Sequence, residues 1–196
     1  MILLFSIPTA LVTIAQQLGP GLLTLLGLAY KSYLNKRKTP DLTRTMDRAN
    51  RVKGILDQIK EELSAIRCCE WAVSNGDITL SGYHLQKLSI LTEVCAEGTE
   101  SIQPLFQLVP ISQFKRTIEQ LKAEPVVVSL ESKIQDDLAA LNLNYQMVTL
   151  VEIRIHGEFS KWTGILSVSW DTERNVTAQE IAFLKMQAAR IGAIKN

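Results

Sequence analysis

The 196-residue sequence predicts an α+β fold with a central antiparallel sheet flanked by helices, preceded by a transmembrane helix and a heptad-patterned linker helix. Three observations carry that prediction. Residues 1–30 contain no Asp, Glu, Lys or Arg, and residues 42–66 repeat apolar or small positions alternately three and four apart. Beyond residue 67, short runs of β-branched and aromatic residues alternate with stretches of helical period. The length suits one ordinary domain with an appendage, and a net charge of +1 gives no electrostatic reason to propose a nucleic-acid partner.

The segment 1–34 is read as transmembrane or membrane-inserted, because about 20 apolar residues suffice to cross a bilayer. Leu3, Leu4, Phe5, Leu11, Leu22, Leu23, Leu25 and Leu26 are its lipid-facing candidates. No basic residue precedes the apolar run, which argues against a cleaved leader. Residues 31–53 hold eight basic residues against two acids, so the positive-inside tendency puts the body on the cytoplasmic side of an inner membrane. Gln16, Gln17 and Gly19-Pro20-Gly21 interrupt the run, leaving a kinked span, a re-entrant pair of half-helices or a small oligomer as alternatives; the competing reading is a buried helix of a soluble assembly.

Residues 35–66 form the basic juxtamembrane stretch and linker helix. Leu42, Ala49, Leu56 and Leu63 alternate with Thr45, Val52, Ile59 and Ile66 at coiled-coil spacing. Val52, Leu56, Ile59, Leu63 and Ile66 are therefore expected to pair with a second copy as a homo-oligomer interface, the alternative being a single amphipathic helix on its own domain.

The body is expected over residues 67–196. "CCEWAVS", Asn75-Gly76-Asp77 and "ITLSGYHL" read as strand, tight turn and strand, since Asn-Gly supplies positive φ angles. "LSILTEVCAE" is extended, and two prolines keep "IQPLFQLVP" from a regular helix. "ISQFKRTIEQLK" is a short helix with Ile111, Phe114, Ile118 and Leu121 on one side, and "PVVVSL" a buried strand. "SKIQDDLAALNLN" is a second helix; "QMVTLVEIRI" and "WTGILSVSW" form a long hairpin. Thr177 and Glu180 spell a capping box for a last helix that buries Ile181, Leu184, Ala188 and Ile191.

The closing hairpin, "GILSVSW", the "DTERNVT" turn and "AQEIAFLKMQAARI" resemble the end of a GAF domain. Upstream, "VSNGDITLSGYHLQKLSILTEV" is similar to a stretch of a GAF-like group found in phages and mobile elements, usually behind one membrane segment. The resemblance covers about residues 67–195 and rests on Asn75, Gly76, Leu80, Ser81, Gly82, Lys87, Ser89, Glu93, Gly164, Leu166, Thr177 and Glu180. It implies a small molecule held between the sheet and the helices of one face, approached here by Trp71, Asn75, Tyr83, His84, Lys87, Ser89 and Glu93. The residue set of cyclic-nucleotide GAF domains is not found in order. Cys95 precedes Ala96 rather than the histidine that usually accompanies a bilin-attaching cysteine.

Catalysis finds little support. His84 and His156 lie far apart in sequence, no nucleophile, phosphate-binding or zinc motif occurs, and Cys68, Cys69 and Cys95 lack metal-ligand spacing. The expectation is a membrane-anchored, non-enzymatic bacterial or phage-encoded GAF-like sensor or protein-docking module. Its partners are the membrane, further copies of itself, and a small-molecule or protein ligand; no cofactor is named. The alternative is a holin-like or virion structural membrane protein whose N-terminal segment oligomerises.

Overall fold

In a computed structural model of the chain, residues 27–28, 42–78, 84–130, 147–156 and 161–194 are described, the side chains of residues 75–78, 84–85 and 130 excepted. The chain divides into two units, Met1–Asp41 and Leu42–Asn196. In the first, only Gly27 and Leu28 are described, both helical, so Leu3, Leu4, Phe5, Leu11, Leu22, Leu23, Leu25 and Leu26 lie outside the described residues. Among the described residues no helix is long and apolar enough to cross a membrane.

The second unit opens with α1 (Leu42–Leu63), followed by β1 (Arg67–Ile78), β2 (His84–Cys95) and β3 (Val109–Pro110). A 3-10 turn (Ile111–Phe114) leads into α2 (Lys115–Ala123), β4 (Val126–Leu130), β5 (Thr149–His156), β6 (Trp162–Trp170) and α3 (Ala178–Ala193). The six strands pair antiparallel in the order β3-β2-β1-β6-β5-β4. Because the chain returns from β2 through the edge elements to β4 before closing with β6, its last strand lies beside its first.

Two apolar clusters cover the two faces of this sheet. On one face Val52, Ile55, Leu56, Ile59 and Leu63 of α1 and Leu184, Ala188 and Ile191 of α3 pack with Cys68, Val94, Val151, Ile153, Leu166, Val168 and Trp170. On the other, Phe106, Phe114, Ile118 and Leu121 pack with Cys69, Trp71, Leu88, Ile90 and Ile165. The central strands β1, β6 and β5 thus alternate their side chains between two buried faces.

Helix α1 corrects two expectations. It belongs to the core of the body and does not stand as a linker ahead of residue 67. Val52, Leu56, Ile59 and Leu63 are occupied within their own chain, Val52, Leu56 and Ile59 being wholly buried, and so leave no seam for a second copy. The sheet supplies the reason: its apolar face needs a cover, and a stripe wide enough for a partner helix is also wide enough for a sheet. Only the first turns project, with Leu42 and Met46 exposed. Ile66 is half-buried, and its N–H donates to the Ser169 carbonyl.

The end of α1 is fixed from several sides. Ser64 adopts φ 49° and Ala65 N–H reaches the Lys60 carbonyl at 3.0 Å, a Schellman-type stop. The Leu63 carbonyl accepts from the Trp170 indole at 3.0 Å and from Arg174 Nη1 at 2.9 Å, which satisfies a helix-end group that has no intrahelical partner. Farther up, Arg48 pairs with the buried Glu70 carboxylate, which also accepts from the Thr92 hydroxyl at 3.1 Å.

Asn75-Gly76 is not a hairpin turn. Strand β1 continues through it to Ile78, with Asn75 opposite Gln86 and an irregular register between Asn75 and Ile78; the β1–β2 connection falls at residues 79–83, outside the described residues. The positive-φ capacity of Asn-Gly serves an irregular ladder as well as a turn. The "PVVVSL" strand, expected to be buried, is an edge strand with Val128 exposed. The helix expected at "SKIQDDLAALNLN" lies outside the described residues. The hairpin of β5 and β6 and the capping box at Thr177 and Glu180 are both present.

Three outcomes are expected from this packing. Leu56→Ala should lower unfolding free energy by about 2–5 kcal/mol without altering sedimentation, whereas a seam between copies would make the loss depend on concentration. Gly164→Ala should be at least as damaging by calorimetry, because its Cβ would run into the Trp71 backbone carbonyl across the β1–β6 ladder. The Thr177 backbone N–H, aided by its hydroxyl and by Arg174, holds the Glu180 carboxyl below its ordinary value of 4.5, with burial opposing. A lowered folded pKa adds stability above 4.5 and loses it as pH falls through the folded value. Melting curves should therefore show Glu180→Gln least stable relative to the parent near neutral pH, the gap closing in acid.

Candidate functional site

Cross-strand partners share a face of a sheet, so the register assembles one polar strip on the face away from α1 and α3. Arg67, Cys69 and Trp71 of β1 stand opposite Ser169, Ser167 and Ile165 of β6. Beyond β6, Leu150, Glu152 and Arg154 of β5 continue the rows, and on the other side Cys95 and Glu93 of β2 face Arg67 and Cys69. Arg67, Glu152, Ser167 and Ser169 are all buried, Arg67 and Ser169 to 2% exposure.

Arg67 makes one ion-pair contact and one hydrogen bond. Its Nε lies 3.1 Å from Glu93 Oε1, and Nη2 donates to the Glu100 carbonyl at 2.6 Å. Among the described residues its Nη1 and the Ser169 hydroxyl, on directly opposed residues, are buried with no hydrogen-bond partner, and Nε meets Glu93 as an ion-pair contact without hydrogen-bond geometry. Buried polar atoms of this kind are costly in a folded interior unless something completes them. Because Glu93 already balances the guanidinium charge, the position suits a hydrogen-bond acceptor such as a carbonyl or carboxylate oxygen, with little surplus charge to concentrate anions.

An aromatic wall adjoins the strip. Trp71 meets Phe106 edge-on at 5.4 Å and Phe114 at 5.8 Å, and its indole N–H donates to Ser167 Oγ at 2.7 Å. Apolar ring faces beside a few convergent polar atoms are the usual make-up of a small-molecule site.

The residues singled out in the sequence do not converge. Trp71 lines the strip. Glu93 is engaged: besides contacting Arg67 it accepts from the Ile102 and Gln103 N–H groups at 3.1 and 3.0 Å and from the Ser101 hydroxyl, which pins the loop after β2. Ser89 accepts from Leu108 N–H at 2.8 Å, holding that residue at φ 57°. Lys87 is half-buried near the β3 edge, opposite Pro110. Six residues of one strand separate it from Glu93, roughly 20 Å, so the two do not share a pocket. Asn75 and His84 are placed in β1 and β2 with side chains outside the described residues, and Tyr83 lies outside them altogether.

Arg67, Ser167, Ser169 and Glu152 escaped the sequence reading. The signal for the two serines was present in "GILSVSW", where they alternate with Leu166, Val168 and Trp170 in a strand otherwise fit for full burial.

Nucleophilic and metal chemistry find little to build on. Burial pushes the Cys68 and Cys69 thiols well up, with Glu93 adding to the rise at Cys69; burial and then Glu93 also raise Cys95. Such thiols carry little thiolate at neutral pH. His84 and His156 sit in β2 and β5, strands separated by two others and hence by at least about 14 Å. Among the described residues no group of three or more His, Cys, Asp and Glu is placed to hold a metal ion.

No protein-family model matches this chain, and no curated protein matches it in sequence. Solved structures do resemble it. The blue-light absorbing form of the Thermosynechococcus elongatus PixJ GAF domain superposes with a TM-score of 0.61 at 14% identity, over 79% of this chain and 88% of its own. A far-red cyanobacteriochrome photoreceptor gives 0.56 at 13% identity, over 87% and 94%. The phycocyanobilin-bound GAF domain of a cyanobacterial phytochrome gives 0.57 at 11% identity, over 74% and 82%. At these identities the likeness establishes the fold alone: residues 42–194 adopt a GAF-like α+β fold.

Proposed function

We propose that this chain is a non-enzymatic GAF-like sensor module, bacterial or phage-borne, whose apolar segment 1–34 anchors it in the inner membrane with the folded body in the cytoplasm. The body takes a small molecule without covalent attachment on the strip formed by Arg67, Ser167 and Ser169. The observation that carries this reading is that Arg67 Nη1 and Ser169 Oγ, buried on residues opposed in the β1–β6 ladder, have no hydrogen-bond partner among the described residues. The ligand that fits them has a flat apolar body to lie against Trp71 and Phe106 and a carbonyl or carboxylate oxygen to accept from Arg67 and Ser169. The GAF-like fold supports the reading, since solved structures of similar shape are described as binding phycocyanobilin or phycoerythrobilin. A bilin bound through Cys95 is disfavoured, because a thiol raised by burial and by Glu93 is a poor nucleophile. Pairing of copies through Val52, Leu56, Ile59 and Leu63 is no part of the proposal, those side chains being occupied in the core.

The test is calorimetric titration of the full chain in detergent with free phycocyanobilin and, separately, with cyclic and linear nucleotides. Binding of one class is expected, weakened at least tenfold, about 1.4 kcal/mol, by Arg67→Met. Ser169→Ala should weaken it too while leaving the melting temperature unchanged or higher, since it removes an unsatisfied hydroxyl. Silence from both ligand classes with the fold intact overturns ligand sensing in favour of protein docking. Anchoring is checked separately: the chain should stay in the membrane pellet after a high-salt wash and leave the membrane potential intact. Recovery in the supernatant removes the anchor, and prompt depolarisation replaces it with the holin-like alternative.

A further inference from the structure

Helices α1 and α3 leave an open groove of about 500 Å³ between them, lined by Arg51, Gly54 and Ile55 of α1, Arg190 and Ala193 of α3, and Ile194, the extended residue that caps α3. Arg51, Gly54 and Ile55 follow the i, i+3, i+4 spacing and Arg190 and Ala193 are three apart, so each helix offers one edge of its surface to the gap. The groove owes its depth to small residues. A Cβ at Gly54 would meet nothing within 4 Å, so no packing within the described fold requires glycine there, although glycine weakens a helix interior.

Charge marks the rim. Among the described residues neither Arg51 nor Arg190 has a carboxylate partner; Arg190 donates to the side-chain oxygens of Gln58 at 3.1 Å and Gln187 at 2.7 Å. An apolar trough between two helices with two uncompensated guanidinium groups at its edge suits a third helix that brings apolar knobs flanked by acids.

We infer that the α1–α3 groove is a docking site for an acidic, apolar-faced helix of a partner protein. Two other occupants fit less well. A second copy presenting the same groove would set four guanidinium groups around one centre and bring no knob to fill either trough. The chain's own preceding stretch, residues 31–38, carries four basic residues and no acid. The site lies on the far side of α1 and α3 from the polar strip, so it neither needs nor excludes a ligand there.

The probe is a fluorescein-labelled helical peptide with leucines at three- and four-residue spacing flanked by glutamates, titrated by anisotropy against the full chain in detergent. A counterpart carrying lysines in place of the glutamates is the control. The acidic peptide should bind and the basic one should not. Arg51→Glu with Arg190→Glu should reverse that preference. Gly54→Leu should fill the groove and weaken binding at least tenfold while raising the melting temperature, because leucine favours helix and meets open space. Equal binding of the two peptides, absence of binding by both, or indifference to Gly54→Leu overturns the assignment. A dimer in sedimentation that Gly54→Leu dissolves overturns it in favour of a second copy.

Discussion

The burial of one sheet face beneath α1 and α3 is the constraint on which the rest of the structure depends. Six antiparallel strands present more apolar surface on that side than one helix can cover, and α1 supplies a stripe from Val52 to Leu63 while α3 supplies Leu184, Ala188 and Ile191. Full burial of each Val, Leu or Ile side chain among them is worth about 1.5–3 kcal/mol. The ends of both helices are then tied to the same corner. The Leu63 carbonyl, the Trp170 indole, Arg174 stacked 4.6 Å over Trp170, and Glu180 of the capping box form one connected set.

With one face occupied this way, the other is released from a purely structural role. There the cluster around Trp71, Phe106 and Phe114 closes one part of the sheet, and the serines of β6 with Arg67 and Glu152 keep the neighbouring part polar. The loop after β2 is held against this region by Glu93, which contacts Arg67 and accepts from residues 101–103 and from the Cys69 thiol. Glu93 thus balances the charge that the buried Arg67 carries.

A separation of duties follows from the layering. The polar strip lies on one face of the sheet, while the outer surface of α1 and α3 looks away from it. A partner that grips α1 and α3 would sense a change on the polar face only through the sheet, whose central strands β1 and β6 carry residues of both clusters. Trp71 and Ala72 of β1, against Gly164 of β6, are the point where the two strands approach too closely for any side chain.

Much of this was written in the sequence. The period of two in "TLVEIRI" and "WTGILSVSW", the prolines before α2, and the Thr177–Glu180 pair each determine local structure through contacts within a few residues, and they produced the elements expected of them. Heptad spacing at Leu42 to Ile66 fixed that a helix with one apolar stripe would form, but not whether a second helix or a sheet would meet the stripe, because both bury the same residues. The Asn-Gly step permitted a turn, and only the long ladder between β1 and β2 decided that the strand runs on. Which polar residues gather is set by register across strands that are distant in sequence. Arg67 meets Ser169 across more than 100 residues, and no local pattern carries that information.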